Sequence, residues 1–440
     1  MASIANNPII MAETTEHLLN TTRQRMADLF TPNQVLGRLQ TIGCVAVEIT
    51  QRCNLDCTLC YLSEHSQQVR DIPIAEVFKR LDGVIEHFGA GTHVQITGGD
   101  PTLRKHTELI EIVRYASDIG LHPALFTNGI AASAELLAKL AGVGLKDVAF
   151  HVDTTQRRES HGSEMSLNVV RQEYIERARG LGLMVIFNTT VHEGNFAELP
   201  MLVKFFSKNA DVIGLVSFQL QAETGRGEWG SRDDVITQQT VRQKIEDGAN
   251  KSLPWDVVQV GHGDCHSYLP TVVTNHALHP IAYDEAFFAD FLRDFQSISW
   301  DRHAPRKKLV AEFLAVLIRR PRWWLKLLQY LAVLLVRMSG DLLKSKGKVH
   351  KLTFFVQNFM DAEHLVPERI DACSFMVMTA DGPVSMCKHN AARDDYILKP
   401  LDVADANGQV TRFEPLKWKT NPARRSATKS DIDNRTGATV

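Results

Sequence analysis

The sequence predicts an α/β fold that is built around a parallel β-sheet. Between residues 41 and 235, short apolar segments rich in β-branched residues alternate with segments of helical character, which is the pattern of repeated βα units. The chain has 440 residues, of which 44% are hydrophobic, so it can bury one large core and still carry appended segments. The six predicted strands are Val45–Thr50, His93–Thr97, His122–Thr127, Val148–Asp153, Met184–Val191 and Ile213–Leu220. Because parallel strands end at one edge of a sheet, polar residues at these ends are candidates for a functional site.

Three regions lie outside the predicted βα units. Residues 1–40 are polar and are predicted to form a helical lead-in. Residues 236–415 form a C-terminal region that contains three cysteines and the most apolar stretch of the chain. Residues 416–440 lack apolar periodicity and are predicted to form a disordered tail. The sequence therefore predicts four regions, with the sheet in residues 41–235.

Charge and cysteine usage narrow the class of protein. The formal net charge is −2, so no overall positive field favours nucleic acid as a partner. Seven cysteines, three of them within eight residues, fit metal binding in a reducing compartment better than disulfides. The N-terminus has no basic segment followed by an apolar core, so no signal peptide is expected. These features predict a cytoplasmic protein.

The loop after the first strand carries Cys53, Cys57 and Cys60 in the pattern CxxxCxxC, followed by Tyr61. Three thiolates at this spacing can hold three irons of a 4Fe–4S cluster and leave the fourth iron open, whereas most such clusters take four cysteines. The alternative is a zinc site, which needs a fourth ligand. His65 is the only nearby candidate for that ligand.

A glycine pair follows the second strand and helps to decide between these interpretations. After a predicted helix near Ile74–Phe88 and the next strand, the chain continues with Gly98, Gly99, Asp100 and Pro101 in a GGDPT segment. The order of strand, cysteine loop, helix, strand and GGDPT resembles the radical S-adenosylmethionine (radical SAM) superfamily. The resemblance implies that the six βα units form a partial (βα)6 TIM-type barrel. In this chain the barrel would carry a helical insertion and a small C-terminal β-hairpin region that contains cysteines.

The resemblance also implies a cofactor and a chemistry. In the superfamily, the open iron chelates the amino and carboxylate groups of S-adenosylmethionine, and a GGEP-type segment binds the amino group. The reduced cluster cleaves the cofactor into methionine and a 5′-deoxyadenosyl radical, which abstracts hydrogen from a substrate carbon, and an electron donor such as flavodoxin or ferredoxin is needed. Asp100 replaces the usual Glu and is one methylene shorter. Function is expected to survive, because backbone carbonyls of the glycine pair do much of the amino-group binding.

Four further residues at predicted strand ends are candidates for cofactor contacts, together with Tyr61. Asn128 belongs to a good turn pair and also resembles the cofactor-facing loop of the superfamily. Asp153 is either a mouth residue or the cap of the next helix. Asn188 lies late in an apolar strand, where a buried amide needs partners, and the superfamily often places a ribose contact there. Arg226 either holds the cofactor's carboxylate or lies on the surface.

The C-terminal region adds Cys265, Cys373 and Cys387. Asp381-Gly382 lies between two short apolar segments and predicts a β-hairpin, which would bring Cys373 and Cys387 close together. The three cysteines, with histidines beside them, would form an auxiliary iron–sulfur cluster or a zinc site. The alternative is that they are buried and inert, since free cysteine packs as a small apolar residue.

The segment Thr353–Asn390 sharpens the resemblance. Phe359–Asp361, Arg369 and Cys387–Asn390 look like the C-terminal part of a radical SAM branch that includes tetraether lipid synthase and a pterin methylase. This resemblance implies a lipid or other apolar chain as substrate, in C–C bond formation or methylation. A pterin-like heterocycle or a peptide is the alternative. A non-catalytic iron–sulfur or zinc protein, the alternative from another class, would not need GGDPT.

Residues 309–338 are apolar and interrupted by basic residues. Neither of the two apolar runs approaches the ~20 residues of a membrane-spanning helix. Arg and Lys beside paired tryptophans and leucines are typical of a helix that lies in a membrane interface, which would place the protein peripherally on a membrane. The alternative is a pair of buried helices over the barrel mouth, with Pro321 opening the second helix.

Overall fold

The computed structural model describes residues 8–227, 235–298, 300, 305–404 and 408–416, with side chains described from residue 15 onward. The predicted tail therefore lies outside the described residues, apart from residue 416, and stays a prediction. The strands are β1 (Cys44–Thr50), β2 (His93–Gly98), β3 (His122–Thr127), β4 (Asp147–His151), β5 (Met184–Val191), β6 (Ile213–Leu220), β7 (His266–Thr274), β8 (Ala277–Pro280), β9 (His350–Asn358), β10 (Phe375–Thr379), β11 (Gly382–Ser385), β12 (Leu401–Ala404) and β13 (Val410–Phe413).

Helices connect these strands. They are α1 (Pro8–Met26), α2 (Ile74–Phe88), α3 (His106–Asp118), α4 (Ala134–Gly142), α5 (Glu164–Ala178), α6 (Leu199–Lys208), α7 (Gln238–Ala249), α8 (Glu285–Asp294), α9 (Arg306–Arg319), α10 (Arg322–Lys344), α11 (Pro367–Asp371), α12 (Met386–Ala391) and α13 (Arg393–Ile397). One helix, α2 to α6, lies between each pair of successive strands from β1 to β6, which is the arrangement of a βα barrel.

The predicted strands form the centre of an eleven-stranded sheet with the order β11-β10-β1-β2-β3-β4-β5-β6-β9-β7-β8. Strands β1 to β6 are parallel and adjacent in chain order. This confirms the predicted α/β fold with a partial parallel barrel. The fourth strand was predicted two residues too long, because Asp153 caps a 3-10 helix, Thr154–Gln156, instead of continuing β4.

Along β1, apolar residues that face the hydrophobic core alternate with residues that face the interior of the barrel. Val45, Val47 and Ile49 are buried in the main hydrophobic cluster, where they share the core with residues of α2. Glu48 lies on the opposite side of the strand and lines a cavity. Successive strand residues point to opposite faces, so one strand serves both the outer core and the interior of the barrel.

The sheet continues across the predicted boundary at residue 235. Strand β9 lies parallel to β6, and β10 lies parallel to β1, so the C-terminal region supplies a parallel strand at each side of the six. The predicted hairpin is present, with β10 and β11 antiparallel and Thr379 paired with Gly382. Gly382 has φ +109°, a conformation that glycine tolerates best. The C-terminal region is therefore part of the barrel wall.

The predicted helical insertion consists of α9 and α10, and Pro321 immediately precedes α10 as expected. Phe295, Val316, Leu317 and Trp323 form a hydrophobic cluster of their own beside the sheet. No residue between 309 and 338 is among the described residues that line the barrel cavity, so the arrangement over the barrel mouth is not observed. In the part of the chain that the structure describes, no helix is long and apolar enough to cross a membrane.

Candidate functional site

A cavity of about 210 Å³ lies at the C-terminal ends of the parallel strands. Nine of the predicted site residues line it, namely Cys53, Cys57, Cys60, Tyr61, Gly98, Gly99, Asp100, Asn128 and Asn188. Pro101, Asp153 and Arg226 lie outside the lining, as do the three C-terminal cysteines. The rule that parallel strands converge on one mouth therefore brings most of the predicted residues together.

The cysteine loop is held against the barrel by its neighbours. The Thr58 backbone N–H donates to the Thr155 carbonyl at 2.9 Å. Gly225 packs so closely that a Cβ atom there would lie 2.3 Å from the Tyr61 carbonyl carbon. Arg226 is partly buried, and its Nη2 donates to the Leu55 carbonyl at 3.1 Å. These contacts fix the loop from both sides of the barrel.

Gly98 and Gly99 are required by close contact with the segment that enters the cysteine loop. A Cβ atom at Gly98 would lie 1.9 Å from the Thr50 carbonyl oxygen, and one at Gly99 would lie 2.1 Å from the Arg52 carbonyl oxygen. Gly98 also has φ +125°. The Tyr61 hydroxyl donates to the Gly98 carbonyl at 2.8 Å, so the aromatic residue after the third cysteine is tied to the glycine pair.

Asp100 binds protein groups on every side. Its carboxylate accepts hydrogen bonds from the Thr102 backbone N–H at 3.0 Å, from the Thr127 hydroxyl at 2.8 Å and from the Asn128 backbone N–H at 2.9 Å. Pro101 opens the 3-10 helix that follows. The carboxylate of Asp100, which is one methylene shorter than that of Glu, thus connects the end of β2 to the end of β3.

Asn128 links the cavity to the cysteine loop. Its Nδ2 donates to Asn54 Oδ1 at 2.7 Å and lies 3.8 Å from Cys53 Sγ. Asn188 is buried and lines the cavity one strand further on. Cofactor contacts by these two residues remain predictions, and their positions beside the cysteines are consistent with them.

A histidine–carboxylate pair at the end of β4 was not predicted. His151 lines the cavity, and its Nε2 lies 2.6 Å from Asp153 Oδ2. Burial opposes the charged forms, but the pairing outweighs it, so the pKa of His151 is raised and the pKa of Asp153 is lowered. Asp153 caps the next helix, as the structural alternative predicted, and also orients His151. His151 lies two residues after Ala149, which also lines the cavity. Because alternate strand residues point to the same face, this spacing could have identified His151 as a cavity residue.

A second charged group reaches the cavity from the barrel interior. Glu48 lines the cavity, and Arg393 Nη1 donates to its Oε1 at 2.7 Å. Burial alone would raise the pKa of Glu48, but Arg393 and His389 lower it to about 2. The Arg393 guanidinium also lies 4.6 Å from the centre of the Tyr61 ring. This pair could not be predicted from sequence patterns, because its members are 345 residues apart.

The three C-terminal cysteines are all buried. Arg369 Nε donates to Cys265 Sγ at 3.1 Å, and the Met360 backbone N–H donates to Cys387 Sγ at 3.4 Å. The Phe375 backbone N–H donates to Cys373 Sγ at 3.4 Å. Burial raises the pKa of the Cys387 thiol to about 12, with Cys373 and Cys265 close enough to contribute. That these three cysteines share one metal site stays a prediction.

The donor atoms of the loop fit an iron–sulfur cluster. Cysteine sulfurs are the usual ligands of such clusters, and three of them border one cavity. Among the described residues, no three Cys, His, Asp or Glu side chains are arranged to hold a single metal ion. Cysteines of a cluster bind different iron atoms, so they do not have to converge on one point. His65 does not line the cavity; its Nε2 lies 4.0 Å from Asp394 Oδ2.

Fold and site together define a partial-barrel protein whose cavity is bordered by three cysteines and a glycine pair. Residues 47–206 match the model of the Radical SAM superfamily. Over these residues the chain is similar to that superfamily, which agrees with the resemblance predicted from the sequence.

Relatives with known activities are similar over part of the chain. The 7,8-dihydro-6-hydroxymethylpterin dimethyltransferase of Methanocaldococcus jannaschii is 27% identical over 186 residues, which are 41% of this chain and 36% of that protein. The PqqA peptide cyclase of Methylobacterium nodulans is 30% identical over 165 residues, which are 37% of this chain and 42% of that protein. The chain thus covers less than half of the length of either relative.

Solved structures are also similar over part of the chain. The crystal structure of Streptococcus suis SuiB bound to its precursor peptide SuiA matches with a TM-score of 0.41 and 15% identity. The match covers 56% of this chain and 52% of that chain.

Proposed function

We propose that this protein is a radical SAM enzyme that abstracts hydrogen from an unactivated substrate carbon. The observation that carries the proposal is the shared cavity of Cys53, Cys57, Cys60 and the Gly98–Gly99 turn at the ends of parallel strands. When bound by the three cysteines, a reduced 4Fe–4S cluster supplies one electron that cleaves S-adenosylmethionine into methionine and a 5′-deoxyadenosyl radical. A reductant of the flavodoxin or ferredoxin type is the proposed electron donor.

The chain's own residues orient the cofactor and shield the reaction. The glycine pair lets the end of β2 pack against the segment that leads into the cysteine loop, and it places main-chain groups at the cavity. Asn128 and Asn188 present amides to the same cavity and are the proposed polar contacts of the cofactor. Arg226 supports the cysteine loop, and Asp153 positions His151, so these two residues are assigned positioning roles.

We propose a lipid or another apolar chain as the substrate. Much of the cavity wall is apolar, and this part is supplied by Leu55, Leu59, Leu62, Phe126, Ala149, Leu220, Ala222, Phe359, Phe375 and Met386. Such a wall binds alkyl chains by the hydrophobic effect and keeps out water and other hydrogen donors. Methylation or C–C bond formation at an unactivated carbon would use the radical directly.

A pterin-like heterocycle is the second candidate, and a peptide is the third. Glu48 and Gln95 place hydrogen-bonding atoms among the apolar residues of the cavity, and a ring with several N–H groups would use them. A curated relative carries the name of a pterin dimethyltransferase, and another is a peptide cyclase. An alkyl chain would leave those polar atoms without partners from the substrate.

We also propose that Cys265, Cys373 and Cys387 hold an auxiliary iron–sulfur cluster, with zinc as the alternative. Each sulfur accepts an N–H hydrogen bond, which offsets part of the cost that burial places on a thiolate ligand. If this is correct, iron content after anaerobic reconstitution falls by about half, from about eight to about four atoms, in Cys265/Cys373/Cys387→Ala. Unchanged iron with a loss of zinc would favour the alternative, and unchanged iron and zinc would leave these cysteines as buried packing residues.

The test of the main proposal is production of 5′-deoxyadenosine under anaerobic reducing conditions. Wild type should release 5′-deoxyadenosine and methionine, Cys57→Ala should release neither, and Cys44→Ala, a cysteine outside the cavity lining, should behave as wild type. Perdeuterated lipid extract and a deuterated dihydropterin then separate the substrates. Deuterium in 5′-deoxyadenosine from the lipid supports the first candidate, whereas deuterium only from the pterin replaces it with the second.

A further inference from the structure

Helix α10 exposes an apolar face. Trp324, Leu328, Leu331 and Leu335 recur every three or four residues and form a stripe along the helix, and Leu328 is 67% exposed. Leu325, Val336 and Leu343 extend the stripe on one side, and Val336 is 74% exposed. Contiguous apolar surface of this kind is unusual on a soluble protein and marks a binding site.

The opposite face of α10 is already used. Trp323, Tyr330 and Met338 are buried and recur every seven or eight residues. The Trp323 ring packs against Phe295 at 4.9 Å, and the Tyr330 ring stacks on Phe287 at 3.8 Å. The helix is thus apolar on both sides, and among the described residues only one side is covered by protein.

The sequence around the exposed stripe is rich in basic residues. Residues 305–350 contain eleven Lys and Arg but only two Asp and Glu. Of the two acidic residues, Asp341 contacts His279, 3.2 Å away on β8, and Glu312 lies 3.9 Å from Lys308. Arg319 precedes α10, and Lys344, Lys346 and Lys348 follow the stripe. All four side chains are exposed. The surface therefore combines exposed apolar side chains with an excess of positive charge.

We infer that the exposed face of α10 docks on an anionic lipid bilayer. Apolar side chains enter the boundary between headgroups and acyl chains, and Lys and Arg contact the anionic headgroups. Trp324 stands at the end of the stripe, and tryptophan favours this interface. A helix of 23 residues, about 34 Å long, lies along the surface instead of crossing it, because Lys326 and Arg337 interrupt its apolar sequence.

This inference deepens the proposed function and rests on it in one respect, because a lipid substrate would be taken from the surface to which α10 binds. Arg320, Arg322 and Lys326 pair with Asp294 and Asp290 of α8, and Lys308 lies near Glu312. The other seven basic residues of 305–350 argue for a bilayer over a second copy of the chain, since two copies would bring these positive charges together. Basic residues facing each other repel, whereas anionic headgroups neutralise them.

Vesicle flotation of the full-length protein tests the inference. The vesicles are pure phosphatidylcholine or phosphatidylcholine with about one third phosphatidylglycerol. Wild type should float with the anionic vesicles, and high salt should weaken flotation. Leu328→Glu/Leu335→Glu should reduce the floating fraction at least about tenfold, whereas Val169→Glu/Val410→Glu, a matched change at positions 71% and 62% exposed, should not. Thermal unfolding of each variant checks that it is folded.

Three results would overturn the inference. In the first, wild type does not float with anionic vesicles. In the second, the Leu328→Glu/Leu335→Glu variant floats like wild type. In the third, light scattering shows that wild type is a dimer and that this variant is a monomer. Flotation needs no turnover, so Cys53/Cys57/Cys60→Ala should float normally. Failure of 5′-deoxyadenosine production with normal flotation would therefore reject the proposed function alone, and the reverse would reject the docking alone.

Discussion

The cysteine loop and the helical pair α9–α10 are held in the molecule by opposite means. The loop is fixed by main-chain contacts, because Gly98 and Gly99 press against carbonyls of the segment that leads into it and Gly225 presses against the loop itself. The helical pair is fixed by side chains, above all by the buried carboxylate of Asp294 at the end of α8. The position of the cysteine loop therefore depends on glycines that tolerate no side chain. The position of the helical pair depends on a few side chains, and many apolar side chains of α10 remain exposed.

The largest effect is expected at the glycine pair. In Gly99→Ala the new Cβ atom would collide with the Arg52 carbonyl oxygen, so the free energy of unfolding should fall by at least about 3 kcal/mol, and the cluster loop should be displaced. Chemical denaturation measures this loss. Gly142→Ala, on α4 with no atom within 4 Å of the new Cβ, is the control and should be neutral or stabilising by up to about 1 kcal/mol. Equal effects of the two changes would contradict a backbone-defined loop.

The next effect concerns the helical pair. The Asp294 side chain is 0% exposed and accepts hydrogen bonds from Arg320, Arg322 at 2.8 Å and the Trp323 indole N–H at 2.9 Å. Asp294→Ala should therefore destabilise the protein by about 2–3 kcal/mol, because these donors lose their acceptor. Asp290→Ala removes a more exposed carboxylate and should cost under about 1 kcal/mol. Thermal and denaturant unfolding compare the two variants, and a larger loss at Asp290 would show that Asp294 does not anchor the pair.

A smaller effect is expected at the tie between the cysteine loop and the glycine pair. Tyr61→Phe removes the hydroxyl that donates to the Gly98 carbonyl, which should cost about 1 kcal/mol and weaken cofactor binding. Tyr115→Phe removes an exposed hydroxyl that donates to Asp82, and it should leave cofactor binding unchanged. Titration of the reconstituted protein with S-adenosylmethionine measures the difference. Identical affinities in the two variants would mean that the tie does not support the cavity.

The smallest effect is a pH dependence. The folded-state pKa of His151 is raised by Asp153, so the stability that this pair contributes is fully present below the unfolded pKa of histidine, about 6.5, and is lost as the pH rises through the folded value. The difference in unfolding free energy between wild type and His151→Gln should therefore shrink as the pH rises above about 6.5. Urea titrations over a pH series measure it, and a difference that grows with pH would contradict the assigned pairing.

Features that depend on local sequence patterns could be predicted, whereas contacts between distant parts of the chain could not. The six strands and the nine cavity residues could be predicted because alternation, strand ends and the CxxxCxxC and GGDPT motifs are local patterns. His151 was missed although it alternates with a lining residue, and Glu48 with Arg393 could not be found because their contact depends on how β10 and its following helices return to β1. The exposed side of α10 could not be distinguished from its buried side, since both are apolar.

The central claim is that Cys53, Cys57 and Cys60 hold a cluster with an open iron for S-adenosylmethionine. Electron paramagnetic resonance of the reduced, reconstituted protein with and without S-adenosylmethionine tests it most directly, in a Cys265/Cys373/Cys387→Ala background that removes any second cluster. If the three loop cysteines hold the cluster, the signal should shift when the cofactor is added and should be absent in the additional Cys53/Cys57/Cys60→Ala variant. A signal that the cofactor does not change, or one that survives loss of the three loop cysteines, would contradict it.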